Sequence, residues 1–134
     1  MSWQQRHTLG LIPGLNDRLA YGYYRAGGQG WSIEYSDDSD ESRLTRLSRQ
    51  ALRKLLGFDF VHVFRNRRKI LQADIVWTHT ELEHLGVLAF LALFGRRHRP
   101  KLIANCIWLF DRWSRLSSIK RSFYRILLKD ANVI

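Results

Sequence analysis

The helical rhythm of the chain is clearest between Arg43 and Leu56. At 100° per residue, Leu44, Leu47, Ala51, Leu52 and Leu55 fall on one side and Arg43, Arg46, Arg49 and Arg53 on the other. This spacing predicts a two-faced helix over residues 42–56, closed by Gly57. The acidic residues of 37–42 sit at its start, where the helix dipole favours negative charge. A further helix is expected over residues 60–72, carrying Arg65, Arg67, Arg68 and Lys69. The pattern then changes period. Ile75, Val76 and Trp77 lie within an expected strand at 74–79, and Lys101–Trp108 (KLIANCIW) is the next. Between them, residues 81–94 read as a helix that is apolar almost all round from Leu85. Such a helix is either sandwiched in a core or lies against lipid. Ser114, Ser117 or Ser118 is placed to cap a last helix ending near Lys129, with Leu116, Ile119, Phe123 and Leu127 as its inner face.

The front of the chain is less regular. His7–Ile12 reads as a short strand ended by Pro13 and Gly14. Asn16 or Asp17 is placed to cap a helix reaching Arg25, and Gly27, Gly28 and Gly30 stop it. Trp31–Ser36 alternates and reads as a second strand. At the other end, Asp130–Ile134 (DANVI) repeats the pattern of Gln72–Val76 (QADIV), a helix running out into a buried strand. The chain is therefore expected to be the front of a longer protein. Strands alternating with helices predict an α/β fold, a Rossmann-like parallel sheet with helices on both faces. Ligands in such sheets bind beyond the carboxyl ends of the strands.

Charge changes this picture in one respect. The formal net charge is +10, but residues 1–42 carry 3 basic and 6 acidic side chains and residues 43–134 carry 19 and 6. The basic part attracts anions: nucleic acid, phosphorylated molecules or anionic lipid heads. The arginine face of residues 42–56 (Arg43, Arg46, Arg49, Arg53) and the turn Arg96, Arg97, Arg99 are the candidate membrane or anion contacts. Their bland alternative is a solvated helix face. No RNP-type aromatic motif, zinc knuckle or helix-turn-helix signature supports nucleic acid. One cysteine, Cys106, makes no internal disulfide framework and fits a reducing, cytosolic setting. No signal-peptide pattern opens the chain, and the longest apolar run, Leu85–Phe94, is about half a membrane span.

Three expected strand ends would share one crevice: Gly10–Gly14, Thr78–Glu81 and Trp108–Trp113 (WLFDRW). Glycine at Gly14 lets a ligand approach the backbone. Thr78, His79, Thr80 and Glu81 supply hydroxyls, an imidazole and a carboxylate. Asp111 is a candidate base, and Trp108 and Arg112 offer a flat ring and a cation for a sugar. Each has a structural alternative. Thr80 or Thr78 reads as an N-cap with Glu81 or Glu83 in the first turn. His79 reads as a hydrogen-bonded strand-end residue, and Asp111 as a partner of Arg112 or Arg115. Glu81 and His84 would share a helix face, but the spacing lacks the His-x-x-x-His pair of zinc enzymes, so no metal is expected. No G-x-S-x-G elbow is present.

With these residues in view, about 58–134 resembles the N-terminal domain of GT-B glycosyltransferases of bacterial polysaccharide and glycolipid assembly. The resemblance rests on ADIVWTHTE (Ala73–Glu81), PKLIANCIWLFDRW (Pro100–Trp113) and the helix before DANVI. The corresponding family strands read D-V-V-H-x-H, P-x-I-x-x-x-H-D and A-D-x-V-I. The resemblance implies a Rossmann-like domain that holds a lipid-linked or saccharide acceptor. A separate C-terminal domain would grip the nucleotide-sugar donor, with no cofactor or bound metal. It also implies a cytoplasmic, peripheral place at the inner membrane, with His79 and Glu81 facing the acceptor and Asp111 as base if the reaction inverts. The departures are Trp108 or Asp111 where the family often has His, and a glycine-rich loop reduced to Ile12–Leu15. The donor domain is missing, so this chain alone is not expected to transfer sugar. The rival expectations are a basic, non-catalytic module for nucleic acid or anionic lipid, and an accessory subunit.

Overall fold

The computed structural model describes residues 30–37, 40–95, 100–104 and 108–129. The chain divides into two units, 1–40 and 41–134. In the first, Gly30 takes a positive φ of 85° in a turn. The segment 31–37 has no regular structure, in place of the expected strand, because among the described residues it has no ladder partner. The expected strand 7–12 and helix 16–25, with Gly14, lie outside the described residues.

The second unit is mixed α/β. Its elements are α1 (Arg43–Leu56), α2 (Phe60–Arg65), α3 (Arg67–Gln72), β1 (Ile75–Thr78), α4 (Glu81–Phe94), β2 (Lys101–Ala104), a 3₁₀ turn (Trp113–Arg115) and α5 (Ser118–Leu128). The strands pair in parallel, with Ile75 opposite Lys101 and Thr78 opposite Ala104. Parallel neighbours need a crossover, and α4 lies in it. The carboxyl ends of both strands therefore lie side by side.

Helix α4 is the centre of the core. His84 to Leu91 are all buried, and the helix packs on α2, α5 and β1. From His84 to Leu91 its apolar surface is thus met by protein on several sides, while Ala92, Leu93 and Phe94 at its end are exposed. The approach to α2 is tight: a Cβ on Gly86 would meet Val63 Cγ2 at 2.9 Å. Phe58, Leu102, Leu109, Tyr124 and Leu127 complete the cluster around it.

Three expectations are corrected. The helix expected over 60–72 is two short helices, broken at Asn66. There the side-chain amide donates to His62 O at 3.1 Å, the same carbonyl that accepts from the Asn66 N–H at 3.2 Å. In α5, capped by Ser117, the buried residues are Tyr124 and Leu127, while Ile119 is 81% exposed. The Tyr124 hydroxyl donates to Leu56 O at 2.9 Å and turns the helix to that face. Helix α1 has the expected bounds, with Ser42 as its cap, but no residue of it is buried. Leu44, Leu47 and Leu55 are 81%, 63% and 72% exposed. The helix attaches along its Arg49–Leu52–Leu56 edge.

Candidate functional site

The carboxyl end of β1 is assembled by its own backbone needs. Thr80 is the N-cap of α4, and its carbonyl accepts from the N–H groups of Glu83 and His84. The Glu83 carboxylate reaches back to the N–H groups of His79 (3.0 Å) and Thr80 (3.3 Å). This is the carboxylate half of a capping box, and it fixes the strand-to-helix turn. Thr80 and Glu83 thus have the structural role that the sequence offered them.

Thr78 is buried at the last position of β1. Its hydroxyl donates to Ile103 O of β2 (3.3 Å) and lies 3.2 Å from His84 Nδ1. One hydroxyl carries one proton. Given to Ile103, it leaves His84 Nδ1–H to donate to Thr78, so Nε2 carries the lone pair. His84 is fully buried, and its Nε2 has no hydrogen-bond partner. Burial pushes the imidazole pKa down from 6.5 to about 4, so the ring is neutral at pH 7. Glu81 is half-buried, yet its Oε2 is buried and without a partner. Glu81 and His84 are three apart on the first turn of α4 and share a face. Both orphan atoms are acceptors, and both are buried away from solvent.

Other expected residues lie elsewhere. His79 is half-buried directly after β1. Asp111 and Arg112 are exposed in a turn beyond β2, and Arg112 stands 5.8 Å over the Trp108 ring, itself 54% exposed. The described structure therefore gathers Thr78, His79, Thr80 and Glu81 into one turn and sets Trp108, Asp111 and Arg112 in another. Gly14, Arg96, Arg97 and Arg99 lie outside the described residues.

Arg43, Arg46 and Arg53 are exposed on α1. Arg49 is not one of their face. Its guanidinium pairs with Asp59 Oδ2 and with Glu41 Oε1, both at 2.7 Å, and Arg65 pairs with the same Glu41. The reason is position: Arg49 lies at the inner edge of α1, opposite the Asp59 that caps α2. Burial raises the Asp59 pKa, but the hydrogen bonds from Arg49 and the His62 N–H outweigh it and hold the carboxyl below its usual value. The hydrogen bond from Arg49 likewise lowers Glu41. An open groove lined by Glu41, Arg46, Arg49, Gln50, Arg53 and Asp59 runs over this cluster.

Sequence reasoning passed over His84, weighing it only as half of a metal pair. The signal was present: an imidazole three residues after Glu81, directly before an unbroken apolar run, is forced inside with that run. Among the described residues no group of three or more His, Cys, Asp or Glu is placed to hold a metal ion. Comparison with protein-family models, with curated proteins and with solved structures finds no match to this chain.

Proposed function

We propose that this chain is the acceptor-binding half of a glycosyltransferase that moves sugar from a nucleotide-sugar donor to a lipid-linked or saccharide acceptor. In this reading the two-stranded parallel sheet is part of a Rossmann-like half of a GT-B architecture, and the donor is gripped by a second domain. The observation that carries the reading is the pair of orphan acceptors, Glu81 Oε2 and His84 Nε2, on the turn that leaves β1. Crevices beyond the carboxyl ends of parallel strands are where α/β folds take ligands. A sugar presents rows of hydroxyl donors, which is what two such atoms lack. His84 stays neutral and, fully buried, holds the Thr78 hydroxyl beneath the turn. Glu81 accepts a second hydrogen bond. His79 adjoins them, and Asp111 is the base that takes the hydroxyl proton if transfer inverts. Arg112 stacked on Trp108 supplies a ring face and a cation for the acceptor.

The same reading gives the protein a peripheral place at a membrane, with Arg43, Arg46 and Arg53 toward anionic headgroups. No described helix is long and apolar enough to cross a bilayer. The test is transfer of radiolabelled sugar from a panel of nucleotide sugars to a lipid extract by this chain joined to the donor-gripping domain that the reading requires. We expect Asp111→Asn and His79→Ala to lower the rate by about 100-fold or more, and Glu81→Gln to raise acceptor KM about tenfold with little effect on kcat. Absence of transfer with every donor and acceptor class contradicts the reading.

A further inference from the structure

We propose that α1 and α5 together form one bilayer-docking surface that takes anionic lipid headgroups. The two helices are built alike. Neither contains an acidic residue: α1 is RLTRLSRQALRKLL and α5 is SIKRSFYRILL. Each attaches by a narrow edge, Arg49, Leu52 and Leu56 in α1 and Tyr124 with Leu127 in α5. Each leaves an apolar row outside. Leu44, Leu47 and Leu55 make the first; Ile119 and Ile126, 81% and 64% exposed, make the second. The helices also adjoin. Lys120 Nζ donates to Lys54 O (3.3 Å) and the Tyr124 hydroxyl to Leu56 O, so α5 is fastened to the carboxyl end of α1. Single exposed hydrophobes need no explanation, but two rows on fastened helices do.

Charge decides the occupant. Arg43 and Lys54 border the first row, and Arg46 and Arg53 lie further round beside the groove that also holds Glu41 and Asp59; Arg121 and Arg125 flank the second row, and neither helix carries a carboxylate. An exposed apolar row on a helix whose charged residues are all cations suits an anionic bilayer: leucine and isoleucine enter the acyl boundary while guanidinium groups stay at the phosphates. A nucleic acid would use the cations and leave the rows idle. A second copy of the chain would bring the same positive charge against itself. The inference rests on the peripheral-membrane part of the proposed function and is independent of sugar transfer. It adds α5, whose Ile119 the sequence pattern had placed inside.

The test is flotation of the whole chain with phosphatidylcholine vesicles, with and without phosphatidylglycerol. Leu47→Glu and Ile126→Glu are the variants, their folds checked by circular dichroism, since both positions are exposed. We expect binding only with phosphatidylglycerol, weakened by salt. Each variant should lower it at least about tenfold, and Arg53→Ala about fivefold. Loss with Leu47→Glu but not with Ile126→Glu overturns the joint surface and leaves a peripheral contact through α1 alone. Absence of vesicle binding overturns both. Binding to duplex RNA or DNA that Leu47→Glu leaves unchanged, or a dimer that Leu47→Glu dissolves, overturns the lipid assignment.

Discussion

Helices α4 and α1 have the same length, 14 residues, and opposite fates. Helix α4 is apolar nearly all round and disappears into the core, His84 to Leu91 without interruption. Helix α1 has the sharper division into leucine and arginine faces, yet none of its residues is buried. A helical period shows which side chains share a face. It does not show whether the fold has anything to lay on that face. In α4 the surrounding elements come from both sides in sequence, α2 before it and α5 after it, and they cover it from His84 to Leu91, leaving its last three residues exposed. Helix α1 is held by an ion-pair cluster and a narrow edge, and Leu44, Leu47 and Leu55 are left exposed.

Matched truncations break or confirm this contrast. Phe90→Ala, at a side chain 1% exposed, should cost about 3–5 kcal/mol, while Leu47→Ala should change stability by less than about 0.5 kcal/mol. Urea melts of the two variants measure both, and equal costs would erase the distinction. The next effect concerns His84. Its folded pKa, about 4, lies below the 6.5 of the unfolded chain. The unfolded state therefore binds the extra proton between those values. Stability is unaffected above about pH 6.5 and falls as the pH drops toward 4, by up to about 3 kcal/mol. His84→Leu should flatten that window in melts taken across it.

A smaller effect is expected where α1 meets α5. Gly57 has a φ of 84°, and a Cβ there would stand 1.9 Å from the Tyr124 hydroxyl oxygen. Gly57→Ala should cost about 2 kcal/mol, through the left-handed backbone and the disturbed Tyr124 bond. Thermal melts check it. Arg49→Ala is expected to cost about 1–2 kcal/mol, because it removes the shared partner of Asp59 and Glu41. Arg53→Ala on the exposed side is expected to cost almost nothing.

These elements also show how much was legible in the sequence. The bounds of α1 and α4, the Thr80 cap and the parallel pairing of the strands follow from local rules: a periodic stripe, a hydroxyl before it, a glycine after it, and two buried runs flanking a helix. The break at Asn66 was not legible, because the apolar and basic positions of residues 60–72 run through it without a glycine or proline. The rotation of α5 was not legible either, since Tyr124 is buried instead of Ile119 through its packing on Phe58 and its hydrogen bond to Leu56 O, both far away in sequence. Arg49 looked like its neighbours on the helical wheel and was separated from them only by the position of Asp59. At the candidate site, Thr78, Thr80 and Glu81 were visible as a polar cluster at a strand end. His84 was hidden because its importance comes from burial, which the apolar run imposes on it.

Glu81 and His84 each hold a buried acceptor without a partner at the turn after β1. Long-range proton–nitrogen correlation of histidine-labelled protein measures the His84 acceptor directly. The account predicts that His84 is neutral at pH 7 with its proton on Nδ1, and that its Nε2 resonance moves upfield as a saccharide acceptor is titrated in, an effect lost in Glu81→Gln. An Nε2 that already carries the proton, or one that stays still while the saccharide binds elsewhere, contradicts it.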